Sequence, residues 1–294
     1  MIQYLVIYSK QNFTSLNEVT MKIAILYICT GYYDVFWKDF YISFEQYFIP
    51  QSEKHYFVFT DADTLYAEND NPHIHKIYQE AYPWPYSTLK RYHIFMKHMA
   101  LFENYDYIFF MNANVICTQL VSDKDVLPRI MEGESLTVVQ HPYAINKAPR
   151  HYTYERNPAS SAYIPYSRGK YYICGGINGG TASAFCNLIR QIYLQTEADL
   201  NHSIIALWHD ESHINKYILD RSDCRVLSPS YCYPENSKLS YTPILVVREK
   251  SKWIPVDKIK QTRHSLSARL LHFARKRFAY LRDDICYIKE KLFT

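Results

Sequence analysis

The stretch YIFFMNANVIC, Tyr107 to Cys117, is an apolar run closed by two asparagines, Asn112 and Asn114, one residue apart. A continuous apolar run of this length predicts a strand buried on both faces, with its polar end leaving the core. The same pattern recurs upstream. KIAILYICTG (Lys22 to Gly31) predicts a buried strand ending in Thr-Gly, and KHYFVFTDAD (Lys54 to Asp63) predicts another. VFWKDFYISFEQYFI (Val35 to Ile49) has helical spacing, and STLKRYHIFMKHMALFENY (Ser87 to Tyr105) predicts a helix opened by a serine cap. Strands alternating with helices indicate a Rossmann-like α/β sheet, in which ligands collect at the carboxyl ends of the strands. Asn112 and Asn114 then fall at the mouth of the site.

The second half changes character. LTVVQHPYAI (Leu136 to Ile145) and YYICGGINGGTASAF (Tyr171 to Phe185) predict strands, the latter with two Gly-Gly pairs where a backbone must approach something closely. A helix over Ala182 to Ala198 follows. IIALWHDESHINKYIL (Ile204 to Leu219) then crowds polar and ionisable residues between apolar flanks, more than folding alone requires.

Composition sets the bounds. A chain of 294 residues with 48% hydrophobic residues buries a proper core, and its 29 tyrosines suit carbohydrate contacts as well as half-buried strands. Seven cysteines without a Cys-x-x-Cys pair indicate a reduced, cytoplasmic chain. No apolar run reaches the roughly 18 residues of a spanning helix. The first twenty residues lack a basic start and a small-residue cleavage site, and read as an extension ahead of Met21. From Lys258 onward ten Lys or Arg face three Asp or Glu. There SLSARLLHFARKRFAYLRDDICYIKEKLF has the spacing of an amphipathic helix, fitted either to anionic lipid or to solvent or a pairing surface. The small net charge of +4 and the lack of a recognition motif argue against nucleic acid. No His-x-x-x-His pair with a suitable acid marks a zinc site.

Three segments are more specific: TYERNPASSAYIP (Thr153 to Pro165), GGINGG (Gly175 to Gly180) and WHDESHINKY (Trp208 to Tyr217). Together they resemble glycosyltransferase family 6, the group of the histo-blood-group A and B transferases and the α1,3-galactosyltransferases, from about Met21 to about Lys260. The resemblance implies a GT-A fold over residues 21–260, with a nucleotide-binding half (21–120) and an acceptor and catalytic half (121–260), followed by the basic segment 261–294. It implies a UDP-Gal or UDP-GalNAc donor, a β-galactoside acceptor such as a fucosylated lactose or lactosamine, and an α1,3 linkage formed with retention. Without an N-terminal membrane helix the chain is similar to the short bacterial members, expected in the cytoplasm, with peripheral contact at the inner face of the membrane through the basic segment. The same residues on a non-catalytic glycan-binding relative are the alternative, against which the intact Trp208-to-His213 block argues.

The resemblance also assigns roles. Glu211 matches the carboxylate beneath the anomeric carbon, which either forms a glycosyl-enzyme or stabilises oxocarbenium charge during same-face attack. His209 and Asp210 match donor-sugar contacts, Trp208 an apolar platform for the acceptor, and His141 and Thr153 positions that bond the acceptor galactose. Tyr27, Cys29 and Tyr32 align with the uridine pocket, and Arg91 with an arginine at the donor. Gly175 and Gly176 leave space for an N-acetyl group and tilt the donor toward UDP-GalNAc, although one methyl discriminates weakly.

Family members that use Mn²⁺ hold it with two aspartates where this chain has Asn112 and Asn114. An amide lacks the anionic oxygen that hard cations want, so no metal and no other cofactor is expected. The charge on the leaving diphosphate then falls to basic residues, Lys250 and Arg263, or their neighbours Lys252 or Lys260, with the asparagine amides donating to phosphate or ribose. The literal Asp-x-Asp at Asp61 to Asp63 reads as turn and cap residues.

Overall fold

The computed structural model describes residues 20–260 and 266–293, the side chains of 260, 266–278 and 293 aside. Among these residues the main sheet has seven strands: β1 (Lys22–Ile28), β2 (Glu53–Thr60), β3 (Ile74–Tyr78), β4 (Tyr107–Asn112), β6 (Leu136–Gln140), β7 (Ile173–Thr181) and β8 (Cys224–Leu227), in the order β3-β2-β1-β4-β7-β6-β8. β7 runs antiparallel to both of its neighbours and every other pairing is parallel. A small ribbon of β5 (Val115–Cys117), β9 (Tyr233–Pro234) and β10 (Leu245–Val247) packs beside it. This is the mostly parallel α/β sheet expected of a GT-A fold. The sheet runs unbroken across residue 120, because β7 hydrogen-bonds directly to β4.

Alternation explains the two-sided core. In β1, Ile23, Ile25 and Tyr27 face one layer while Ala24 and Leu26 face the other, and in β4 Phe109 and Met111 oppose Ile108 and Phe110. The first layer is closed by α1 (Trp37–Tyr47), whose Trp37, Phe40 and Phe44 repeat every three or four residues and are fully buried. The second is closed by α5 (Ala182–Asn201) and α6 (Asp210–Ile218), through Phe185, Ile189, Ile192 and Ile214. The second Gly-Gly pair serves packing: the Phe109 ring lies against Gly179, where any side chain would collide with it.

Two expectations need correction. The helix expected over Ser87 to Tyr105 is broken into α2 (Tyr86–Leu89) and α3 (Arg91–Lys97), followed by a 3-10 turn, and no serine caps it. The break lies at Lys90, immediately before Arg91, which makes three tertiary hydrogen bonds described below. The edge strand β3 was not expected, its IHKIY being too short and too polar to stand out.

A short capped helix, α4 (Asp123–Val126), leads into β6, and α7 (Val256–Lys260) follows the last ribbon strand. The C-terminal segment forms α8 (Leu266–Phe293). Its Asp284 carboxylate meets Arg150 and His151, and its Glu290 carboxylate accepts from the Tyr166 and Ser167 amides at 3.0 and 2.7 Å. Leu281, Ile285, Ile288 and Leu292 form an exposed stripe. Among the described residues no helix is long and apolar enough to cross a membrane. Residues 1–19 lie outside those described, and so does Arg263.

Candidate active site

Glu211 is held at the start of α6. The preceding residue but one, His209, adopts φ 55°, a left-handed conformation uncommon for any residue but glycine, which turns Asp210 and Glu211 into the first helical turn. Asn215, one turn later, clamps the helix to β7: its Oδ1 accepts from the Ile173 amide at 2.9 Å and its Nδ2 donates to the Ile173 carbonyl at 2.9 Å. On that frame the Glu211 carboxylate accepts from Tyr172 Oη at 2.6 Å and from the Gly175 amide at 2.7 Å. Gly175 is required here, since a Cβ at that position would lie 2.9 Å from the Glu211 Cβ.

Burial pushes the Glu211 carboxyl up to about 7, against the pull of its two hydrogen bonds. Burial likewise raises Asp210 to about 6, outweighing the adjacent guanidinium. Asp210 pairs with Arg91 through one carboxylate oxygen, while Oδ1 is buried with no hydrogen-bond partner among the described residues. Such an oxygen is suited to accept from a ligand hydroxyl. Arg91 also donates to the Gly175 carbonyl and to Asn112 Oδ1, each at 3.2 Å, and its guanidinium lies over the Phe110 ring at 4.4 Å.

A pocket of about 420 Å³ opens where β1 and β4 end, lined by Thr30, Tyr32, Tyr33, Trp84, Arg91, Asn112 and Lys250 among others. It lies where a doubly wound sheet binds its ligand. Lys250 Nζ stands 5.1 Å over the Tyr33 ring, whereas Lys252 pairs with Glu235 at 3.1 Å. Trp84 meets the His209 ring edge-on at 4.8 Å. Asp61 caps the turn at this mouth, accepting from the Gly31 amide at 2.7 Å, as expected of a turn residue.

Three residues expected at the donor lie elsewhere. Tyr27 is fully buried and donates to the Ala113 carbonyl at 2.9 Å, so its face is unavailable for stacking; Tyr32 and Tyr33 line the pocket instead. Cys29 is buried, its amide donating to Phe59 and its carbonyl accepting from Thr60 Oγ1, so both backbone groups are already engaged. Asn114 turns inward: its Nδ2 donates to the Arg248 carbonyl at 2.6 Å while the Arg248 amide donates back to the Asn114 carbonyl at 2.8 Å. A carboxylate at 114 has no proton for that carbonyl. Asn114 therefore anchors the segment that carries Lys250, and does not itself face the pocket.

Gly176 abuts the Asn112 carboxamide, with which an added Cβ would collide. Its smallness is thus accounted for by Asn112 as well as by any N-acetyl group.

On the other side of Glu211 the Tyr172 ring meets Tyr143 edge-on at 5.1 Å, and Tyr143 Oη lies 2.6 Å from Thr153 Oγ1. His141 sits against both rings, its Nδ1 accepting from the Tyr143 amide at 3.2 Å; burial lowers it to about 4, leaving a neutral imidazole. Trp208 is 48% exposed, so it is no core tryptophan. The fold thus brings together Arg91, Asn112, Gly175, Gly176, His209, Asp210 and Glu211, with Tyr32 and Lys250 on the pocket side and His141 and Thr153 on the other. Tyr172 was missed: one tyrosine among 29 carries no signal until its hydroxyl is seen on Glu211.

The chain that builds this site is similar in sequence to known proteins. The chain is 34% identical over 232 residues to the O-antigen biosynthesis glycosyltransferase WbnI of Escherichia coli, covering 79% of this chain and 96% of that protein. It is 24% identical over 248 residues to the mouse globoside alpha-1,3-N-acetylgalactosaminyltransferase 1, covering 81% of this chain and 70% of the relative. Similarity to the rat histo-blood group ABO system transferase 1 is 36% over 121 residues, 41% of this chain and 34% of that protein. The model of glycosyltransferase family 6 matches residues 7–258, a span that takes in Arg91, the Gly-Gly strand and the Glu211 helix alike, and the chain belongs to that family.

Proposed function

We propose that the protein is a retaining transferase that moves GalNAc, and less readily Gal, from UDP to the 3-hydroxyl of a β-galactoside, forming an α1,3 linkage without a metal ion. The observation that carries this reading is the position of Glu211, suspended between two partners: the Gly175 amide, whose carbonyl meets Arg91 in the pocket, and Tyr172, whose ring leads to Tyr143 and Thr153. A sugar donor on one side and an acceptor hydroxyl on the other would meet over that carboxylate. Tyr32 and Tyr33 offer faces to the base, Asp210 Oδ1 accepts from a donor-sugar hydroxyl, and Lys250 faces the diphosphate. The absence of side chains at Gly175 and Gly176, which Glu211 and Asn112 also require, tilts the donor toward the N-acetyl sugar. An α1,2-fucosylated galactoside is the acceptor expected from the family resemblance.

A divalent cation does not fit the donor set at Asn112 and Asn114. Neither side chain is anionic, Asn112 Oδ1 already accepts from the Arg91 guanidinium, and Asn114 is turned away. Transfer from UDP-GalNAc and UDP-Gal to lactose, N-acetyllactosamine and 2′-fucosyllactose is therefore expected to be unchanged by excess EDTA and altered less than about twofold by Mn²⁺. An absolute requirement for Mn²⁺ would refute the metal-free reading, and a β-configured product would refute retention. Glycan binding with no turnover of either donor would favour the lectin.

The same site sets the pH dependence. Glu211 acts ionised, and burial has raised its carboxyl to about 7. kcat/KM should be flat above that value and fall with unit slope below it. Below about 6 the slope steepens, as Asp210 also takes a proton. A profile level from pH 5 to 8 would contradict this assignment.

A further inference from the structure

A second groove of about 570 Å³ lies beyond Thr153, a volume in the range of ligand sites rather than packing gaps. One wall is the segment 143–157 with Ile205 and Leu207; the other is α8, through Tyr280, Arg282 and Asp283. The family match ends at residue 258, so the α8 wall lies beyond the matched span. That wall is firmly seated: Asp284 on Arg150 and His151, Glu290 on two backbone amides, and the Tyr280 ring edge-on to His151 at 4.7 Å. Two side chains separate the groove from the Glu211 carboxylate, since Tyr143 lines it and touches Tyr172, which holds Glu211.

Its chemistry is that of a neutral sugar site. The half-buried Tyr166 and Tyr280 supply flat apolar faces with hydroxyl tips, and Ile205 and Leu207 are exposed by 43% and 54%. Lys147, Arg156 and Arg282 face Glu155 and Asp283, and Arg156 is committed to the Ile164 and Pro165 carbonyls at 2.6 Å each, so no single sign of charge is left to select an anion.

We propose that this groove is an extended acceptor subsite, in which α8 holds the sugar residues of a neutral oligosaccharide that lie beyond the galactose at Thr153. The inference rests on the transferase reading above and adds that the enzyme discriminates among acceptors by their length. A single β-galactoside reaches only Thr153 and its neighbours. A tri- or tetrasaccharide ending in the same galactose also lies against Tyr280.

The test compares methyl β-galactoside with such a tetrasaccharide in the full-length protein, using Tyr280→Ala and, on the facing wall, Ile205→Arg. Each variant is expected to lower kcat/KM for the tetrasaccharide about tenfold, mainly through KM, and to leave the values for methyl β-galactoside and for UDP binding unchanged. Equal losses on both acceptors, or no loss on either, overturn the inference. Calorimetry with the tetrasaccharide alone gives a readout independent of turnover. Binding by the wild-type chain that Ile205→Arg weakens about tenfold supports the groove even if no transfer is seen, which would refute only the transferase reading. Failure of the wild-type chain to bind or prefer the tetrasaccharide overturns the groove while leaving that reading intact.

Discussion

Glu211→Gln is expected to lower transfer about a thousandfold or more, with UDP affinity changed less than about twofold. Glutamine keeps the shape and still offers Tyr172 Oη an acceptor oxygen. What it lacks is the charge that either forms a glycosyl-enzyme or faces an oxocarbenium ion, and both routes fail without it. In the reading proposed here UDP occupies the pocket lined by Tyr32, Tyr33 and Lys250, which Glu211 does not line, so ground-state affinity for the nucleotide should survive. Tyr172→Phe is the informative companion. It removes one of the two hydrogen bonds to the carboxylate, 2.6 Å in length, and should raise the midpoint of the pH profile while costing far less activity than Glu211→Gln. Isotope-free product assays with UDP-GalNAc and calorimetry with UDP measure the two arms. Substantial residual transfer by Glu211→Gln would remove Glu211 from the role assigned to it.

Much of this site is legible in the sequence. The crowded WHDESHINKY segment marked the site by its density of polar and ionisable groups, and its resemblance to family 6 singled out Glu211 within it, while the Gly-Gly strand marked a close approach that proved to be Glu211 itself, against Gly175. The alternating strands marked the carboxyl edge where the pocket opens. What sequence did not reveal was orientation. Tyr27, Cys29 and Tyr32 stand within six residues of each other, and a strand's period of two sends Tyr27 into the core while the turn after it presents Tyr32. The two asparagines look equivalent in YIFFMNANVIC, yet one faces Arg91 and the other ties down the backbone of Arg248, more than 130 residues away in the chain. Pairings across such separations, like the hold of Tyr172 on Glu211, depend on tertiary packing that no local pattern encodes.

Arg91→Leu should destabilise the fold by about 3–5 kcal/mol, because it leaves the Asp210 carboxylate buried without its counter-charge. For a chain of this size that corresponds to a melting point lower by roughly 10 °C. The sign of its pH dependence follows. Without Arg91 the Asp210 carboxyl rises further above its unfolded value, so the folded state keeps stability at low pH and loses it as pH climbs through the raised value; the deficit against the wild type should shrink on acidification. Asp210→Asn in the Arg91→Leu background removes the stranded charge, and is expected to recover most of the lost stability. Transfer should not recover with it. The guanidinium also fixes the Gly175 carbonyl and the Asn112 carboxamide, and Asp210 Oδ1 is the buried acceptor assigned to the donor sugar. Thermal unfolding of the two single variants and the double variant measures the first effect, and product formation under saturating UDP-GalNAc the second. Strictly additive stabilities would mean that Arg91 and Asp210 do not act as a pair. Recovery of transfer in the double variant would mean that the pair holds the fold and does not touch the donor.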